Sequence, residues 1–104
     1  MAVLLARTAG RLYWGARYIE RAEDTARVVR AYNDLVVDYP SDELLRWEPL
    51  AVIAGSHVVV DVPETDPAGE FTVLRHLLAD RSAGSSIASS VAAARENFRT
   101  CLLY

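Results

Sequence analysis

A chain of 104 residues has room for one modest hydrophobic core, and it is read as a single domain over residues 1–104. Its apolar fraction of 52% and charged fraction of 24% exclude a disordered or fibrous chain, and no apolar run reaches the ~20 residues that a membrane-spanning helix needs. A net charge of −3 without any basic tract speaks against nucleic acid or an anionic membrane surface as partner.

Three further exclusions follow from single residue types. All eleven cations are arginine, so Schiff-base chemistry and a P-loop lysine are absent. The lone Cys101 has no internal disulfide partner, in keeping with a reducing compartment. In MAVLLARTAG the first basic residue, Arg7, follows the apolar run instead of preceding it, so a secretory signal is not indicated and a cytoplasmic location is expected.

The first predicted element is a long helix from about Leu5 to Asp38, with Pro40 just past its end as a stop signal. Leu12, Ala16, Ile19, Ala22, Ala26 and Val29 recur at helical spacing and are expected to form its buried stripe, small enough for a neighbouring helix to approach closely. Ser41 is a candidate cap for a short helical turn through Leu44, Leu45 and Trp47. Pro49 suits the first turn of a second short helix ending near Gly55. HVVVDV, 57–62, is β-branched and strand-like by propensity, but a lone strand has no pairing partner in a helical chain. After the loop PETDPAG, a helix is predicted over Glu70–Asp80 with Phe71, Leu74, Leu77 and Leu78 as its buried edge. Ser85 or Ser86 then caps a last helix, on which Ile87, Val91, Ala94, Phe98 and Cys101 make a heptad-like seam. The expected fold class is all-α: a helical bundle fragment with a long N-terminal helix, short middle helices and a C-terminal helix.

Within the first helix, RLYWGARYIERAEDTARVVR, 11–30, packs eight charged side chains and three large aromatics into twenty residues. At about 100° per residue, Tyr13, Arg17, Glu20, Asp24 and Arg27 fall in one wedge, away from the alanine-rich stripe. Arg17 and Glu20, Asp24 and Arg27, and Glu23 and Arg27 stand at the i+3 or i+4 spacing of helical ion pairs. The like charges Glu20 and Asp24 lie at i+4, where flanking Arg17 and Arg27 are placed to offset their repulsion. Two readings of this wedge stand: a solvated face laced with weak ion pairs, or a polar seam that is covered or binds something. Trp14 and Tyr18 beside it favour the second.

No other pattern has comparable weight. No Glu-x-x-His occurs, so a carboxylate di-metal bundle is not indicated; His57 and His76 stand alone, and no metal site is expected. Cys101 lies on an apolar seam and reads as core. Ser85 and Ser86 precede a helix and are placed either to cap it or to hold a phosphate. There is no Gly-rich nucleotide loop, and no cofactor is expected.

Three blocks, taken together and in order, resemble one known family. ARTAGRLYWGARYIERAEDTAR, 6–27, the tetrapeptide WEPL, 47–50, and VLRHLLADRSAGSSIASSVAAARENFR, 73–99, are similar to the bacterial alpha-E domain family over about residues 4–99. The resemblance implies an all-helical domain that accompanies, or is fused to, a circularly permuted ATP-grasp protein, with a transglutaminase-like peptidase as a frequent companion. The implied setting is ATP-dependent formation or modification of a peptide or amide bond. It points to Glu20, Glu23 and Glu96 as the candidate catalytic residues. Tyr13, Trp14, Arg17, Tyr18, Arg21, Trp47, Glu48, Arg95 and Asn97 are the candidate substrate- or partner-binding residues, joined by Asp24 and Arg27 from the wedge itself. The sequence departs from that pattern at Gly15, where a bulkier apolar residue is usual, at HVVVDV, and after the Arg-Glu-Asn helix, where relatives continue through many more helices. The chain is therefore expected to be a truncated form of the domain.

Three functional expectations result. The first is an accessory binding module without activity of its own, whose charged wedge docks a partner. The second is a catalytic domain in which glutamates act as general acid or base while arginines hold a substrate carboxylate. The third is a structural module that forms homo-oligomers through the 87–101 seam and exposed aromatics.

Overall fold

The computed structural model describes residues 2–38, 46–55, 62–66 and 69–102. It contains α1 (Ala2–Asp38), α2 (Glu48–Ile53), α3 (Glu70–Leu78) and α4 (Ile87–Leu102), with no strand among the described residues. The class is all-α. The predicted turn through Leu44 and Leu45 and most of HVVVDV lie outside the described residues.

α1 is one unbroken helix of 37 residues, about 55 Å at 1.5 Å per residue, and it sets the 64 Å long dimension of the molecule. It contains no proline, and its glycines, Gly10 and Gly15, each cost about 1 kcal/mol relative to alanine. At Gly15 the cost has a reason. A Cβ there would sit 2.6 Å from Cε1 of Phe98, so the Phe98 ring of α4 fills the space that a side chain at position 15 would need. The two helices run antiparallel: Phe98 covers Gly15, while further along α4 the Cys101 thiol donates to the Thr8 carbonyl at 3.6 Å.

This packing corrects the expected buried stripe. The residues of α1 that α4 and the other elements bury are Gly15, Ala22 and Thr25. Of the predicted six, only Ala22 is buried and Val29 half-buried. Leu12 is 49% exposed and Ile19 45%, and Ala16 and Ala26 are also exposed. The contact face is turned toward the smallest side chains, because close approach of two helices is limited by size and not by hydrophobicity. The same substitution of small polar for large apolar recurs on α4. There Ser90 and Ala94 are buried and Val91, expected in the seam, is exposed; Ile87, Phe98 and Cys101 are half-buried.

The hydrophobic core lies at the other end of α1. Trp47, Leu50 and Ala51 meet Val73 and Leu77 of α3, against Val28, Val29, Tyr32 and Val36 of α1. Trp47 packs on Tyr32 with ring centroids 5.2 Å apart, and its burial contributes on the order of 3 kcal/mol. The buried edge of α3 is thus Val73 and Leu77 with Leu74 half-covered, whereas Phe71 and Leu78 remain exposed. The predicted edge was wrong at those two positions: the face that meets Trp47 is the one carrying Val73.

Local signals fix the short elements. Pro49 occupies the first turn of α2, as its spacing predicted, and Ala54 closes the helix by donating to the Leu50 carbonyl at 2.9 Å. Gly69 precedes α3 with φ of 72°, a left-handed conformation that glycine adopts without penalty. Ser86 caps α4: its Oγ accepts the Ser89 N–H at 3.0 Å and donates to the Asp80 carbonyl at 2.6 Å. Asp80 organises the preceding turn by accepting from both the N–H and the Oγ of Ser82, at 3.0 and 2.6 Å.

Candidate functional site

The charged wedge of α1 survives intact on the unbroken helix. Arg17 Nη1 lies 3.3 Å from Glu20 Oε2, Arg27 Nη1 lies 3.6 Å from Asp24 Oδ1, and Arg27 also pairs with Glu23. These are the three pairs that the sequence spacing predicted. Glu20 and Asp24 each hold an arginine, which offsets their mutual repulsion. All of these side chains are more than half exposed, so water screens the pairs and they add little to stability.

Beside the wedge is a groove of about 390 Å³, a size that accommodates a small ligand or a few residues of peptide. Its long wall is α1: Trp14, Arg17, Tyr18, Glu20, Arg21, Asp24, Thr25 and Val28. Its short wall is the end of α2, Ile53 and Ala54. The turn after Pro49 thus places two apolar side chains opposite a polar helix face. Trp14 and Tyr18 are tilted against each other at 6.3 Å, and Tyr13 meets Trp14 edge-on at 5.4 Å. The three rings form a continuous aromatic shelf next to the charges.

Two groove side chains have donors to spare. Arg21 makes no ion pair or hydrogen bond with any described residue, unlike its neighbours Arg17 and Arg27. Thr25 is almost wholly buried, and its hydroxyl likewise makes no hydrogen bond with a described residue. A guanidinium and a hydroxyl lining one groove, neither bonded to a described residue, suit a carboxylate, which accepts from both.

The groove therefore gathers six of the candidate residues: Trp14, Arg17, Tyr18, Glu20, Arg21 and Asp24. Tyr13, Glu23 and Arg27 stand outside it on the same helix. Trp47 is in the core. Glu48 is half-buried and paired with Arg46, whose hydrogen bonds hold its carboxylate below the usual glutamate range. Arg95, Glu96 and Asn97 belong to α4: Glu96 pairs with Arg99 at 3.1 Å, and Asn97 Nδ2 donates to the Ala93 carbonyl at 2.8 Å. Of the three candidate catalytic glutamates only Glu20 lines the groove, and all three are more than half exposed.

Sequence reasoning missed Thr25, Val28, Ile53 and Ala54. Thr25 had a legible signal, a hydroxyl one helical turn beyond Arg21 on the same face. Ile53 and Ala54 had none, because their position depends on how α2 docks. Among the described residues no three His, Cys, Asp or Glu side chains gather as metal ligands, and no helix is long and apolar enough to cross a membrane.

No curated protein and no solved structure matches the chain. One family model does, over residues 4–101: Alpha-E, described as a predicted alpha-helical domain with a conserved ER motif. Read as adjacent residues, Glu-Arg occurs once in this sequence, at Glu20–Arg21, and both side chains line the groove. With the match covering nearly its whole length, the chain belongs to the alpha-E family.

Proposed function

We propose that the chain is an accessory binding domain whose Glu20–Arg21 groove docks a carboxylate-bearing segment of a partner. The partner expected from the family resemblance is a circularly permuted ATP-grasp protein, with a transglutaminase-like protein in the same system, acting in ATP-dependent formation or modification of peptide or amide bonds. The observation that supports this reading is Arg21, which pairs with no described residue and lines one groove with Thr25, the exposed Trp14 and the half-buried Tyr18. Arginine and large aromatics are the side chains that most often dominate binding energy at interfaces.

Titration calorimetry of the chain against its ATP-grasp partner tests the proposal. Arg21→Ala is expected to weaken binding at least tenfold, about 1.4 kcal/mol, while Arg95→Ala on α4 leaves it unchanged. Equal affinity for wild type and Arg21→Ala, or no binding by either, refutes it.

A catalytic reading draws on the position of Glu20 beside Arg21. A general acid or base tuned toward neutral pH is usually shielded from water, whereas Glu20 is exposed and held by Arg17. That contrast favours binding for this chain.

A further inference from the structure

α1 has a third face, used neither by α4 nor by the groove. Ala2, Leu5, Ala9, Leu12, Ala16 and Ile19 follow one another at alternating steps of three and four residues, and all six are exposed, Leu5 at 66%. That spacing is a heptad seam, with alanine at every first position and a large aliphatic residue at every fourth. Exposed aliphatic side chains aligned over about 26 Å of rigid helix form a surface suited to another helix.

We infer that this face pairs with the same face of a second copy, with the two α1 helices antiparallel about a two-fold axis between Gly10 and Arg11. Size complementarity selects this occupant and this direction. In an antiparallel pair the two heptad positions face each other, so Ala2 meets Ile19 of the second copy, Leu5 meets its Ala16 and Ala9 meets its Leu12. The two-fold axis repeats each layer, and all six layers combine one small and one large side chain. A parallel pair would instead stack alanine on alanine and leucine on leucine, giving alternately loose and crowded layers.

Charge gives the same answer independently. The stripe continues into Glu23 and Arg30. In a parallel pair each would face its own copy, two like charges at the seam. In the antiparallel register both fall outside the six layers. Self-association here does not use the 87–101 seam, because Phe98 and Cys101 on that seam already contact α1 within one chain and Ala94 is buried. It also leaves the Glu20–Arg21 groove open, since none of its residues lies on the stripe. A seam this short buries less than a standard interface, so the dimer is expected to be concentration-dependent.

Sedimentation velocity over roughly 1 µM to 1 mM tests the pairing: a monomer–dimer shift is expected, weakened at least tenfold by Ile19→Glu. Both positions being exposed, circular dichroism of Ile19→Glu and Leu5→Glu should show unchanged helix content. Direction is read by disulfide trapping in a Cys101→Ser background. A mixture of Leu5→Cys and Ala16→Cys chains should form the cross-linked heterodimer, and Leu12→Cys alone should cross-link poorly. A monomer throughout the series, a dimer indifferent to Ile19→Glu, or efficient Leu12→Cys cross-linking without the mixed product would each overturn the inference.

Discussion

Replacing Gly15 by alanine sets two effects of known size against each other. In an unencumbered helix interior the change stabilises by about 1 kcal/mol, because alanine loses less backbone freedom on folding. Here the new methyl would stand 2.6 Å from Cε1 and 2.8 Å from Cζ of Phe98, well inside van der Waals contact. Overpacking of that kind costs typically 1–3 kcal/mol, so a middle value of about 2 leaves a net destabilisation of about 1 kcal/mol. Phe98→Ala removes Cε1, Cζ and Cδ1, the three ring atoms nearest the new methyl. In that background Gly15→Ala should recover its helix-propensity benefit and stabilise by about 1 kcal/mol. Urea denaturation of the four proteins in a double-mutant cycle measures the coupling, expected at about 2 kcal/mol. If Gly15→Ala stabilises by the same amount in both backgrounds, the ring does not cover Gly15 and the close antiparallel packing of α1 and α4 is wrong.

Two other outcomes follow from the turn between α3 and α4. Ser86→Ala removes both the cap on the Ser89 N–H and the hydrogen bond to the Asp80 carbonyl at a fully buried position, and thermal melting should show a loss of about 1–2 kcal/mol. Hydrogen bonds from Ser82, first its hydroxyl and then its N–H, hold the Asp80 carboxyl below the ordinary aspartate value of 3.8, with nearby His76 adding to the effect. Because the folded value is the lower one, the stabilisation is present above 3.8 and fades as pH falls through the folded value; NMR titration of the Asp80 carboxyl should show that lowered midpoint, and Asp80→Asn should flatten the acid limb of the stability profile.

The elements themselves were legible because each rests on a local rule. Pro49 starts α2, Ser86 caps α4, and the i+3 and i+4 charges of α1 pair as their spacing dictates. What failed was the choice of faces. Hydrophobicity marked Leu12 and Ile19 as buried, and Phe71 and Leu78 likewise, yet the packed faces carry Gly15 and Thr25 beside the expected Ala22 on α1, and Val73 beside the expected Leu77 on α3. A periodic pattern locates an apolar stripe without saying which neighbour is near enough to cover it. The groove was half legible for the same reason. Six of its eight α1 residues were candidates because they share a helix and hence a face, whereas Ile53 and Ala54 arrive through tertiary docking.

One rod bears everything: α1 holds Phe98 near one end, the Trp47 cluster near the other, and the Glu20–Arg21 groove between them. Each added or deleted residue turns the upstream part of a helix by about 100° relative to the downstream part. A single insertion between Gly15 and Ala22 would therefore swing one anchorage out of line with the other while leaving composition untouched. For this protein the spacing of α1 is a stricter constraint than the identity of most side chains upon it.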